Sequence, residues 1–242
     1  MKTKRVLSLL LALIIVVLCL SSCTPAEGGT TTTSSAGGTE QIEKKDYVSE
    51  LKFNMNSETK KQVVTVKTYV DGDTTHFHVP EDVVPGGVLK ARYLAIDTPE
   101  STGKIEEYGK KASEFTRAKL SSAVSIIVES DSEKWNLDST GSRYLVWVWY
   151  KDSEDGAYRN LNLEILQNGL AAASSTGNNR YGSICLSALA QARAEKLNVY
   201  SGEKDPDFYY GDAVELTLRE LRLNVSDYTN TKVAFEGVIT RN

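Results

Sequence analysis

A chain of 242 residues, 40% hydrophobic and 25% charged, has ordinary globular composition and length for one principal domain with appendages. Its formal charge of −4 excludes the broad electrostatic capture of polyanions that a strongly basic domain achieves. Cys19, Cys23 and Cys185 are its three cysteines, and two of them near the start exclude a disulfide-built scaffold.

Lys2, Lys4 and Arg5 precede an apolar run from Val6 to Leu20, followed by Ser21, Ser22 and Cys23. This is the layout of a secretory signal peptide, and "LSSC" resembles the bacterial lipobox, whose cysteine is lipidated and becomes the mature N-terminus. Residues 1–22 are therefore read as a lipoprotein signal peptide and Cys23 as the lipidation site. The expected location is extracytoplasmic, lipid-anchored to the bacterial cell membrane. A plain transmembrane anchor is the alternative, for which the apolar run is short. Without Lys2, Lys4 and Arg5 the mature chain carries 25 basic and 32 acidic residues, a net charge of −7. Any polyanionic substrate must then be met by local positive charge or by a metal. Cys185 is the one thiol left, in an apolar helix-like stretch, and reads as a small buried hydrophobe.

Residues 23–45, rich in Gly, Thr and Ser without apolar period, read as a flexible tether. The domain is expected over 46–207. "LKFNMN" alternates Leu51, Phe53 and Met55 and predicts a short entry strand. "QVVTVKTYV" and "THFHV", joined at Asp71-Gly72, predict a hairpin whose glycine supplies positive φ. "VLKARYLAI", "VSIIVES" and "RYLVWVWY" predict three more strands. "EEYGKKASEFTRAKLSSA" spaces Tyr108, Ala112, Phe115 and Leu120 helically. "RNLNLEILQNGL" predicts a short helix stopped by Gly169, and "YGSICLSALAQARAEKLNVY" a further one. The pattern is α+β, a five-stranded OB-fold β-barrel with three helices. Residues 208–242 add a C-terminal helix-strand extension, possibly an incomplete second domain; Leu216, Leu218, Leu221 and Leu223 are available for packing, and "TKVAFEGVIT" reads as an edge strand.

Three polar groups stand out against this frame. "DGDTT" carries Asp71, a turn residue, and Asp73, free to project from the next strand. "IDTPE" places Asp97, Thr98 and Glu100 around Pro99, which biases Thr98 to an extended backbone and so fixes its carbonyl. Arg92 and Arg143 stand in the third and fifth strands. Two aspartates and a main-chain carbonyl make a partial oxygen shell for a hard divalent cation. Glu100 is placed to hold or deprotonate a water, and the arginines to clamp phosphate oxygens. Strict alternation puts Arg92 and Asp97 on opposite faces, so a bulge or the bend at Thr98-Pro99 must join them. His76 and His78 share a strand face with no third ligand and read as surface residues. Trp147 and Trp149 also share a face and read as core or groove wall.

In combination, Val70-Asp71-Gly72-Asp73-Thr74, Arg92, Asp97-Thr98-Pro99-Glu100, "YGKKASEFTRAKL", "LQNGLA" and "NNRYGSICLSALAQARAEKLNVYSG" resemble the staphylococcal nuclease (thermonuclease) family, collinearly over roughly Val63 to Asp207. The resemblance implies a five-stranded OB barrel with three helices and Ca²⁺-dependent hydrolysis of DNA and RNA to 3′-phosphorylated products. It implies Asp73, Asp97 and the Thr98 carbonyl as Ca²⁺ ligands, Glu100 acting on the attacking water, Arg92 on the scissile phosphate and Arg143 on the transition state. Single-stranded or frayed substrate and a monomer are expected. The family's Asp-x-Tyr-Gly-Arg stands here as Asp138-Ser139-Thr140-Gly141-Ser142-Arg143, with one residue added and the tyrosine lost. A family tyrosine that holds the substrate nucleotide is replaced by Ser174 or Ser175, which implies weaker substrate affinity. The competing readings are a catalytically silent OB-fold nucleic-acid or ligand-binding surface lipoprotein, and an adhesion or structural lipoprotein. Neither needs carboxylates clustered beside a phosphate site.

Overall fold

A computed structural model describes residues 44–229 and 231–238. The expected signal peptide, Cys23 and nearly all of the tether lie outside the described residues.

Five strands close on themselves. β1 (Lys61–Asp71) and β2 (Thr74–His78) form the expected hairpin, and β3 (Val88–Tyr93) continues antiparallel on β2. After β4 (Ile96–Asp97), β5 (Ser125–Glu129) returns to pair with the start of β1, and β6 (Tyr144–Lys151) pairs with β5. β6 also runs parallel beside β3, with Arg92 opposite Leu145, and this last pairing closes the barrel. Closure leaves none of the five with two free edges, the device by which small β-proteins avoid edge pairing. β7 (Arg159–Asn160) extends the sheet beyond β6, and β8 (Ala172–Ala173) pairs with β4.

The strands form where β-branched and aromatic residues alternate with polar ones. β3 buries Leu89, Ala91 and Tyr93 and turns Lys90 and Arg92 outward. β6 is different, because Val146 to Tyr150 are all buried. Helices cover its outer side, so both faces need apolar residues. Trp147 and Trp149 are fully buried core residues; their Nε1 groups donate to Asp131 and Glu129, each at 2.8 Å.

The first helix, α1 (Tyr47–Glu50), precedes the barrel. The expected strand at Leu51 to Met55 does not form; the segment bends, and Phe53 packs 5.0 Å from Trp149 and 5.1 Å from Tyr158 between ring centroids. Its alternation reflects one anchoring aromatic rather than a ladder. α2 (Gly109–Ser122), α3 (Leu161–Gln167) and α4 (Gly182–Ala194) match the three expected helices. The Asn160 side chain caps α3 by accepting from the Leu163 amide at 2.9 Å. Gly169 ends that segment at φ 65°, where a Cβ would stand 2.5 Å from the Leu197 carbonyl oxygen. Cys185 is buried in α4 and its thiol pushed by burial up to about 12, which suits a hydrophobe rather than a nucleophile.

The C-terminal extension is slighter than expected. α5 (Leu218–Leu223) has six residues; Leu218 and Leu223 are exposed, and none of the four leucines is buried. The last strand, β10 (Val233–Ala234), pairs parallel with β9 (Val214–Glu215) rather than lying on an edge of the barrel.

Candidate active site

The site begins at the β1–β2 turn. β1 ends at Asp71 and β2 starts at Thr74, so Gly72 and Asp73 make the turn. Positive φ at Gly72 is not what the turn uses: the described residues with positive φ do not include it. The glycine is needed for space. A Cβ there would stand 2.9 Å from the Ala112 Cβ of α2 and 2.9 Å from Thr98 Cγ2. The Thr116 hydroxyl of α2 donates to the Gly72 carbonyl at 2.5 Å and holds the turn against the helix. Asp73 therefore projects from a buried turn rather than from the strand. Its Oδ1 accepts from Arg92 Nη1 at 2.7 Å and the Thr74 hydroxyl at 2.9 Å, and its Oδ2 from the Thr98 amide at 2.9 Å. Burial raises its carboxyl above the usual range, with Arg92 opposing the shift.

Arg92 and Asp97 meet because the expected single strand is broken. β3 stops at Tyr93, and Ala95 takes φ 68° before β4 begins. The break, rather than the bend at Thr98-Pro99, moves Asp97 to the face of Arg92. A left-handed alanine costs roughly 1–2 kcal/mol. Neighbours hold it there: the Ser174 amide donates to the Ala95 carbonyl at 3.0 Å, the Leu94 amide to Val146 at 2.9 Å, and Asn162 Nδ2 to the Leu94 carbonyl at 2.9 Å. With the strand turned, Arg92 Nη2 donates to Asp97 Oδ1, so one guanidinium bridges both aspartates. The two differ in access, since the Asp73 side chain is 2% exposed and that of Asp97 59%. One anchors the arginine and the other faces solvent.

Asp71, read from the sequence as a turn residue only, belongs to the same cluster. It is buried and accepts from the Ser101 hydroxyl at 2.7 Å and the Ser101 amide at 3.2 Å. Hydrogen bonding to the Asp71 carboxyl, then burial and the negative charges of Asp71 and Asp73, push Glu100 up to about 7. Only the crowding of three carboxyls in space shows this, and "DGD" in the sequence hints at it no further.

Arg143 precedes β6. The parallel register puts Leu145 beside Arg92, so Arg143, two residues earlier, shares the outer face of that strand pair. The structure does not bring its side chain to the aspartates. Its Nε donates instead to Asp138 Oδ2 at 2.7 Å, while the Arg143 amide donates to Asp138 Oδ1 at 3.3 Å. Burial alone would raise the Asp138 carboxyl; hydrogen bonds from Thr140, Arg143 and Ser142 outweigh it and hold the group well below the usual range. Ser142, the added residue, is thus absorbed into a loop folded around Asp138, which sequence reasoning did not single out. The signal was its place at the head of the Asp…Gly…Arg segment.

Among the described residues, no three His, Cys, Asp or Glu side chains form a ready metal cage. His76 is half-buried, His78 is exposed, and neither forms an ion pair among the described residues. The donors beside Arg92 are all oxygens, and the buried Thr98 hydroxyl lacks a hydrogen-bond partner. That set suits a hard divalent cation rather than a metal that prefers nitrogen or sulfur ligands.

A closed OB-type barrel brings carboxylates and an arginine together at a strand break. Residues 90–202 match the family model described as Staphylococcal nuclease homologue. The chain is also 30% identical over 139 residues to the Thermonuclease of Staphylococcus intermedius, an alignment covering 56% of this chain and 74% of that protein. The chain belongs to the staphylococcal nuclease family.

Proposed function

We propose that the protein is a Ca²⁺-dependent nuclease that hydrolyses DNA and RNA to 3′-phosphorylated products, tethered outside the cell through lipid on Cys23. The observation that carries this reading is the Arg92 guanidinium held between Asp73 and Asp97, in a barrel of this family. Asp73, Asp97 and the Thr98 carbonyl would hold Ca²⁺, which when bound supplies positive charge to the phosphate. Glu100 accepts the proton of the attacking water as the new oxygen–phosphorus bond forms. The bond from phosphorus to the 5′ oxygen breaks, and the departing alkoxide takes up a proton from solvent water, to which Glu100 later returns the one it accepted. Arg92 pairs with the scissile phosphate through its planar fork, and Arg143 neutralises charge gathering on the leaving oxygen. Asp138 holds the Arg143 guanidinium through its Nε.

The test is cleavage of a labelled single-stranded oligonucleotide with Ca²⁺ and with chelator, products being typed by end group. Calcium-dependent 3′-phosphorylated fragments are expected. Binding without cleavage at any metal concentration would instead make the protein a silent OB-fold binding module.

A further inference from the structure

The outer face of the barrel beside Arg92 carries a row of basic side chains that the catalytic cluster does not use. Lys90 lies two residues before Arg92 on the same face of β3. His76 of β2 is paired with Lys90, and Thr68 of β1 with His76. The register slips between Val66 and Thr68, so Lys67 occupies a β-bulge at the end of this row. Lys67 and Lys90 are exposed, and neither makes an ion pair among the described residues. Lys90 is His76's cross-strand partner and Lys67 adjoins its other partner, Thr68; burial, Lys90 and Lys67, in that order, depress His76 below its ordinary value. Two unpaired ammonium groups beside the arginine of the cluster, in a chain of net charge −4, have a use for an anion there.

We propose that Lys67, His76 and Lys90 form a track for the phosphate backbone of single-stranded nucleic acid, leading it into the Arg92–Asp73–Asp97 cluster. The proposal rests on the nuclease reading and extends it from the scissile phosphate to its neighbours. The spacing suits it: three adjacent strands set Lys67 and Lys90 roughly 10 Å apart, across the path to Arg92. A single strand also suits the recessed Asp73 and Arg92, because a flexible backbone bends into a recess that a duplex spans. Point charges on flexible stems bind phosphates without reading bases, so the track is indifferent to sequence.

Lys67→Gln, Lys90→Gln and the double variant test this. Binding of a fluorescein-labelled oligothymidine is followed by anisotropy in chelator across a salt series, and kcat/KM is measured in Ca²⁺ on that oligonucleotide and on a dinucleotide too short to reach the row. Each substitution should lower the magnitude of the salt slope by about 0.7, and the pair by about 1.4. The double variant should lose several-fold in kcat/KM on the oligonucleotide and keep the wild-type value on the dinucleotide. Unchanged slopes and unchanged oligonucleotide kinetics, with wild type cleaving both substrates, would overturn the track and leave the nuclease reading intact. If wild type cleaves neither substrate, the nuclease reading fails, and the salt slopes alone decide the track.

Discussion

Asp97 and Glu100 stand three residues apart and are both exposed, yet their surroundings differ. Asp97 faces Arg92 directly, whereas Glu100 leans on the Asp71 carboxyl. Asp97→Asn should weaken Ca²⁺ by removing ligand charge, and excess Ca²⁺ should restore part of the rate. Glu100→Gln removes a proton acceptor, a loss of roughly 10²–10⁴ in kcat that excess Ca²⁺ should not recover. Calcium titrations of activity beside direct calorimetric binding separate the two; rescue of Glu100→Gln alone would exchange the roles. Arg92 allows a second substitution. Lysine keeps the charge but cannot span Asp73 and Asp97 as one planar fork does. Arg92→Lys should therefore lower kcat by about 10²–10³, with a far smaller effect on the melting temperature. Near-wild-type turnover would remove Arg92 from the transition state.

Elements bring these residues together, and the element that does most is the broken third strand. Asn162 of α3 sustains the break: its Nδ2 donates to the carbonyls of Leu94 at 2.9 Å and Val146 at 3.0 Å, and its Oδ1 accepts from the Val148 amide at 2.9 Å. Asn162→Ala takes this partner from the Leu94 carbonyl and the Val148 amide, at about 1–3 kcal/mol each, while the Val146 carbonyl keeps the Leu94 amide. Destabilisation of several kcal/mol in urea, together with reduced kcat, is the expected result; a loss confined to stability would separate the break from catalysis. The strands that frame this element were legible because β-branched alternation and an Asp-Gly boundary mark them. The helices were legible from their spacing and from Gly169. The break was not, because Ala95 carries no glycine signal for left-handed backbone and is held there by Leu94, Asn162 and Ser174 through contacts distant in sequence. The same limit hid Asp138, whose importance appears only once the loop folds back on Arg143. Asp73, Asp97 and Thr98 were readable because each stands at or near a chain punctuation, a turn or a proline, whereas Arg92, inside a strand, was readable from the family resemblance.

At the scale of the whole molecule, the segment after α4 fastens the catalytic loop from outside. Asp205 is buried; its Oδ2 accepts from the Tyr108 amide at 2.7 Å, and its own amide donates to the Tyr210 hydroxyl at 2.7 Å. Tyr108 sits at φ 63° just before α2 with no side-chain cap, so Asp205, 97 residues away in sequence, satisfies one of the helix's free amides. The Tyr108 hydroxyl completes the latch by donating to the Glu203 carbonyl at 3.0 Å. From Tyr108 the connection to the site is short. Gly109 presses on the Glu100 carbonyl, where a Cβ would stand 2.1 Å from the oxygen, and the Glu106 amide donates to that carbonyl at 2.9 Å. By contrast, none of the described residues beyond Tyr210 is buried. A chain ended after Tyr210 should therefore melt within about 0.5 kcal/mol of the full one, like other changes confined to the surface. Asp205→Ala in the full chain leaves the Tyr108 amide unpaired and should cost about 1–3 kcal/mol, at roughly 2–4 °C of melting temperature per kcal/mol. It should also lower kcat, because the backbone that carries Glu100 loses its outer restraint, while Ca²⁺ affinity at Asp73 and Asp97 stays near wild type. Melting curves and calcium titrations on the two proteins decide the point. If truncation after Tyr210 destabilises more than Asp205→Ala, stability resides in the extension and the latch is incidental.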